Sequence, residues 1–140
     1  MKYYCVKQHD ETDCGAACIA TISKQYGHSL TVSKVREIAG TDKQGTTVYG
    51  LVRAAEQLGF TAKGVKGDAK AFFEEFPLPA IAHIIVNGNL LHYVVIHKIT
   101  KKEITIADPA TGLVKMSPRK FFAMWTGVLV LLVPEHSFTK

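Results

Sequence analysis

Cysteine is scarce and odd in number, with 3 in 140 residues, so a complete disulfide framework is excluded and a reduced, cytoplasmic setting is expected. Long apolar runs are missing as well. The first residues, Met1-Lys2-Tyr3-Tyr4-Cys5, have no stretch of signal-peptide length. The longest apolar run, over 128–134, falls far short of the ~20 residues a membrane helix needs, so the chain itself is expected to be soluble. There is no dense block of one charge. The 17 basic and 12 acidic residues leave a net charge of +5 spread along the chain, and only Lys98, Lys101 and Lys102 gather. Nucleic acid is therefore not an expected partner. Repeats, low-complexity segments and linkers are absent too.

What remains is 47% hydrophobic and 21% charged, the composition of a folded domain. Its length suits one domain over residues 1–140. Nothing in residues 135–140 reads as a natural terminus, so a longer protein is compatible with the sequence.

The densest chemistry lies in Gln8-His9-Asp10-Glu11-Thr12-Asp13-Cys14-Gly15-Ala16-Ala17-Cys18. Thr12 and Asp13 are good helix caps, and 16–26 reads as helix until Gly27 stops it. Cys14 then falls in the first turn, where unpaired backbone N–H groups and the helix dipole favour negative charge. Gln8 is placed to supply one oxyanion donor and the Cys14 N–H a second. A thiol protease would keep its nucleophile here.

Further along, Val32, Val35 and Ile38 repeat at helical spacing until Gly40. Thr46 or Thr47 caps a third helix whose Val48, Leu51, Val52, Ala55 and Leu58 form a core-facing stripe. Between them, 40–45 is a polar loop expected to border a cleft. The character then changes to strands over 60–65, 80–86, 90–99, 103–108, 112–116 and 127–133. Asp68 caps a short helix to 76, and Ser117-Pro118 opens another. Asn87-Gly88-Asn89 marks a hairpin. Helices first and a largely antiparallel sheet afterwards make an α+β fold with the Cys14 helix packed on the sheet.

Strand parity makes a triad feasible. In 90–99, His92 shares a face with Val94 and Ile96, whereas Tyr93 and His97 point the other way. A hairpin through 100–102 with even register brings His92 and Asp108 onto one face, opposite or diagonal, and an odd register separates them.

The segments Gln8, Asp13 to Cys18, His92-Tyr93-Val94-Val95-Ile96 and Asp108-Pro109 together resemble the papain-like cysteine peptidase domains that begin bacterial peptide-exporting ABC transporters. The resemblance runs over roughly residues 5–134. It implies nucleophile Cys14, base His92, orienting Asp108 and oxyanion donor Gln8, with no cofactor. It also implies removal of the leader from bacteriocin or lantibiotic-type precursors after a Gly-Gly or Gly-Ala pair, coupled to export. The partners implied are a precursor with an amphipathic leader helix and the membrane and nucleotide-binding domains of a transporter. The site would then lie at the cytoplasmic side of the membrane. The second or third helix, or the surroundings of Phe72, Phe73 and Phe76, would grip the leader.

Other readings stay open at this level. A docking domain without catalysis would recruit the same leader. Cys14 and Cys18 with His9 nearby form a weak metal or redox set, since a lone C-x3-C lacks a second pair. Cys18 reads as a structural residue, Cys5 as a terminal-strand or packing residue, and His9, His28 and His136 as surface or loop. His83, across the 87–89 hairpin, competes with His92 as base but has no acidic partner following it.

Overall fold

Residues 2–10, 12–40 and 46–135 are described by the computed structural model. The expected cleft loop lies largely at 41–45 and His136 follows 135, so both fall outside the described residues. Three helices come first: α1 (Cys14–Gln25), α2 (Val32–Ala39) and α3 (Val48–Gln57). Then follow β1 (Phe60–Lys66), α4 (Ala69–Phe72), β2 (Ala80–Val86), β3 (Leu90–Ile99), β4 (Ile104–Asp108), β5 (Gly112–Met116), α5 (Pro118–Met124) and β6 (Trp125–Pro134). The strands form one sheet in the order β1-β6-β2-β3-β4-β5, with antiparallel pairing at each step. The expected α+β architecture is what the chain adopts.

Alternation along the strands divides the interior in two. Ile81, Tyr93, Val95, Ala107, Val130 and Leu132 face α1, α2 and α3, and meet Ile19, Ile22, Val35, Leu51 and Ala55 in one core. Ala82, Ile84, Val94, Ile96, Ile104, Ile106 and Leu129 face the opposite side, where Phe72 and Phe121 complete a second core. Both faces of β2, β3 and β4 are therefore covered, which explains why these strands read as nearly unbroken apolar runs. The stripe on α3 is core, as its spacing indicates.

Some boundaries differ from expectation. The helix after Asp68 stops at Phe72 rather than running to 76, closing on tight i→i+3 bonds from Phe73 N–H to Lys70 C=O and from Glu74 N–H to Ala71 C=O. The last strand begins at Trp125, two residues early, because the end of α5 is already extended there (φ −72°, ψ 134°). The 87–89 turn is as expected, with Asn87 at φ 54° and Gly88 at φ 80° in the left-handed region.

Four helices begin on a side-chain cap: Thr31 accepts from Lys34 N–H, Thr47 from Gly50, Asp68 from Ala71 and Ser117 from Lys120. The helix that carries Cys14 does not. Asp13 occupies its N-cap position, but its side chain makes no capping bond. Thr12, the other expected cap, turns its hydroxyl to Asp10 Oδ1 at 2.7 Å.

Packing of α2 against α3 is close enough to test. A Cβ on Gly50 would stand 2.8 Å from the Ala39 carbonyl oxygen, an atom of the backbone. Gly→Ala inside a helix ordinarily stabilises by about 1 kcal/mol. Here the sign should reverse, with Gly50→Ala losing about 1–3 kcal/mol by urea denaturation because the α2 terminus must shift.

Candidate active site

The site is assembled where β3, the end of β4 and the start of α1 meet. Near its turn, the β3–β4 hairpin runs in odd register, Ile99 opposite Ile104 and Lys98 opposite Thr105. That register would separate His92 from Asp108. A bulge between Ile96 and Lys98 shifts it, so that Ile96 opposes Ile106 and Val95 opposes Ala107. Beyond the bulge the register is even, and His92 and Asp108 lie diagonally on one face. His92 Nε2 is 2.7 Å from Asp108 Oδ1. Strand alternation alone could not locate the bulge, because His97 looks like any other residue of a buried strand.

β4 ends at Asp108, and the chain turns there through Thr111 N–H to Asp108 C=O at 3.1 Å. Cys14, at the start of α1, engages the imidazole. With Nε2 held by the carboxylate, Nδ1 is the nitrogen left to face the thiol. Burial disfavours the charged ring. The bond to Asp108, the interaction with Cys14 and the negative charge of both outweigh it, raising the His92 pKa from 6.5 to about 9. For Asp108 burial acts in the opposite sense, but the His92 bond and the Ala110 N–H, 2.9 Å from Oδ1, hold its carboxyl below the ordinary value. The two shifts agree on an ion pair.

Gln8 reaches the same place from the N-terminal segment. Its N–H donates to the Pro109 carbonyl at 3.0 Å, directly after Asp108. Thr21 on α1 accepts from Val6 N–H at 2.9 Å, and the Gln25 amide holds both Tyr4 N–H and Lys2 C=O. His97 adds a bond of its Nε2–H to the Tyr4 carbonyl at 2.9 Å. The segment is thus fastened to the helix that carries Cys14. Gln8 Oε1 is buried with no hydrogen-bond partner among the described residues. An orphaned buried amide end is unfavourable unless a ligand meets it or the amide turns to present its N–H2 group.

The remaining candidates fall elsewhere. His83 does not approach His92, since it pairs with Tyr93 across β2–β3 and bonds Thr126 Oγ1 at 3.1 Å. Burial lowers its pKa. Cys18 is fully buried in the α1 core, and burial pushes its thiol well up. Half-buried Cys5 donates its S–H to the Asp108 carbonyl at 3.4 Å, so it packs beside the site without belonging to a strand. His9 is exposed and His28 lies in a loop. Among the described residues, no three His, Cys, Asp or Glu side chains gather as metal ligands.

Of the suggested leader-gripping residues, Phe72 is not available. It is 1% exposed and ringed by Phe73, Phe76, Phe121, Phe122 and Trp125. A feature the sequence reading missed is an apolar groove of about 340 Å³ that starts at Asp108 and runs past Ile84, Val86, Val114, Met116 and Met124. Its signal was available, because all but Asp108 of these are apolar residues at even positions on β2, on β5 and at the end of α5. No helix or strand pattern says, however, that this part of the face stays uncovered.

The family model described as peptidase C39 matches residues 2–137. The lactococcin-G-processing and transport ATP-binding protein LagD of Lactococcus lactis is 44% identical over 134 residues, covering 95% of this chain. The chain spans only 19% of that relative's length. The crystal structure of the peptidase domain of Streptococcus ComA, a bi-functional ABC transporter, superposes with a TM-score of 0.90 at 36% identity, covering 96% of this chain and 100% of that one. A double glycine motif protease from an AMS/PCAT transporter, solved with its leader peptide, gives 0.87 at 28% identity, covering 95% and 92%.

The His92 pair has a pH signature. The folded-state pKa lies above the unfolded one, so the protonated ring stabilises the fold fully below about pH 6.5 and the contribution is lost as pH rises through about 9. An NMR titration should place the His92 ring midpoint at about 9, well above the 6.5 of an ordinary histidine. In Asp108→Asn it should fall, because burial then acts with one partner fewer.

Proposed function

Since this chain belongs to the peptidase C39 family of cysteine peptidases, we propose that it removes the leader of a precursor peptide by cutting after a Gly-Gly or Gly-Ala pair. The observation that carries the reading is the 2.7 Å His92–Asp108 pair, with Cys14 engaging the same imidazole. In the resting ion pair the proton is already on His92, and the Cys14 sulfur attacks the carbonyl carbon of the second residue of the Gly-Gly or Gly-Ala pair. Charge developing on that oxygen is met by the Cys14 N–H and the Gln8 amide. His92 then protonates the leaving nitrogen, which frees the core peptide and leaves a thioester at Cys14. Water, deprotonated by His92, releases the leader as a carboxylate. Asp108 fixes the ring's orientation throughout. None of these steps calls on a metal or an organic cofactor.

The substrate side of the proposal draws on the relatives. LagD is named for processing and transport, and the AMS/PCAT protease was solved with a leader peptide bound. In this chain the leader helix lies in the apolar groove beside Asp108, lined by Val86, Met116 and Met124. Residues 1–140 act as one peptidase domain at the cytoplasmic side of the membrane, joined to the membrane-spanning and nucleotide-binding parts of an exporter. No helix among the described residues is long and apolar enough to cross a membrane.

Mass spectrometry of a leader–core peptide with a Gly-Gly junction tests the reaction. One cut after the second glycine is expected, and none with Cys14→Ala. Leader binding without any cut, under reducing conditions and with several leaders, would leave only a docking domain. Gln8→Ala should lower kcat by about 10²–10³-fold, the usual loss for one oxyanion donor. Met116→Glu should raise KM about tenfold with kcat within about twofold, since it touches leader and not the scissile bond.

A further inference from the structure

Asp13 precedes the proposed nucleophile directly and is 1% exposed. Aspartate is among the best N-cap residues, and a carboxylate there ordinarily accepts from the N–H groups of the first turn. In α1 it makes no such bond, although the other helices described above all carry one. Its oxygens go elsewhere. Oδ1 lies 2.7 Å from Arg36 Nη1 of α2, and Oδ2 accepts from Asp10 N–H at 3.2 Å. Arg36 also reaches Asp10 Oδ2 at 3.5 Å, so one guanidinium holds both acids that precede Cys14.

This diversion bears on the chemistry. The start of α1 can stabilise one negative charge, whether on sulfur, on the oxyanion or on a cap. A buried carboxylate one residue away competes for the same N–H groups and repels charge at Cys14. The charged groups at this end of α1 include Asp10 and Asp13 before it, Arg36 from α2 and His92 from β3. Of these, only Arg36 offsets Asp13 directly, because His92 is engaged by Asp108.

We propose that Arg36 is a positioning residue for Cys14: it draws the Asp13 carboxylate off the helix terminus and neutralises it, keeping the first-turn N–H groups for the reacting sulfur and oxyanion. The inference rests on Cys14 being the nucleophile, and it adds a residue that touches neither substrate nor thiol. Sequence reading overlooked Arg36, since a lone arginine on an amphipathic helix looks like solvent-facing charge. Its 2.7 Å bond to a nearly inaccessible carboxylate is the distinguishing mark.

The test compares Arg36→Gln, Asp13→Asn and the double variant. One readout is the rate of Cys14 alkylation by iodoacetamide at pH 7, read at Cys14 by peptide mapping so that Cys5 and Cys18 do not interfere. The other is kcat and KM on a leader–core peptide. Arg36→Gln should slow alkylation and lower kcat roughly tenfold, with KM nearly unchanged. Adding Asp13→Asn should restore both, because the competing charge is gone. Asp13→Asn alone should alkylate at least as fast as the parent, and this variant decides the matter if Arg36→Gln does not fold. Unchanged alkylation in folded Arg36→Gln, no recovery in the double variant, or slowed alkylation in Asp13→Asn would each overturn the proposal. Alkylation needs no substrate, so a parent protein that alkylates as expected and cuts nothing would count against the peptidase reading instead.

Discussion

The interaction on which the rest depends is the hydrogen bond between His92 and Asp108. It forms only because a strand pair changes register midway, and it brings together a buried ring and a half-buried carboxylate that would each be unfavourable alone. Each charge justifies the other. The raised His92 pKa and the lowered Asp108 pKa describe the same event from its two ends. Everything else at the site is attached to this pair or to the turn that follows it. Gln8 hangs from the carbonyl of Pro109, Cys5 from that of Asp108, and Cys14 approaches the free side of the ring.

The two-faced sheet supplies the rigidity this arrangement needs. Helices α1 to α3 cover one face, while α4, α5 and their aromatic cluster cover the other, so β3 cannot tilt without disturbing two cores. The groove at Asp108 marks where the second cover is incomplete. A peptide lying there would be continuous with the core packing of the same strands, which is how an apolar helix face gains a seat without a preformed deep cavity.

Much of this was legible in the residues. Capping and periodicity placed Cys14 in the first turn of α1, and the hairpin signal at Asn87-Gly88 set the start of β3. Parity made His92 and Asp108 plausible partners but left the register undecided, because the bulge near His97 has no compositional mark. The cap at Asp13 was read correctly by position and wrongly by chemistry. Propensity records which side chains suit a terminus, whereas the partner that draws one away comes from tertiary packing, here Arg36 on α2. Phe72 was misjudged for a similar reason. A four-residue helix carries too little periodicity to say whether its single aromatic ring, Phe72, turns inward.

The N-terminal segment bears on the order of synthesis. Residues 2–8 are held partly by α1 and partly by the 108–109 backbone, more than 100 positions later. A growing chain that has just completed β3 contains Cys14 and His92 but neither the carboxylate that orients the ring nor the carbonyl that seats Gln8. On the proposed roles, its thiol would be unarmed until most of the domain has left the ribosome. The separation in sequence thus works as a timer, delaying hydrolytic competence until the sheet around it has closed.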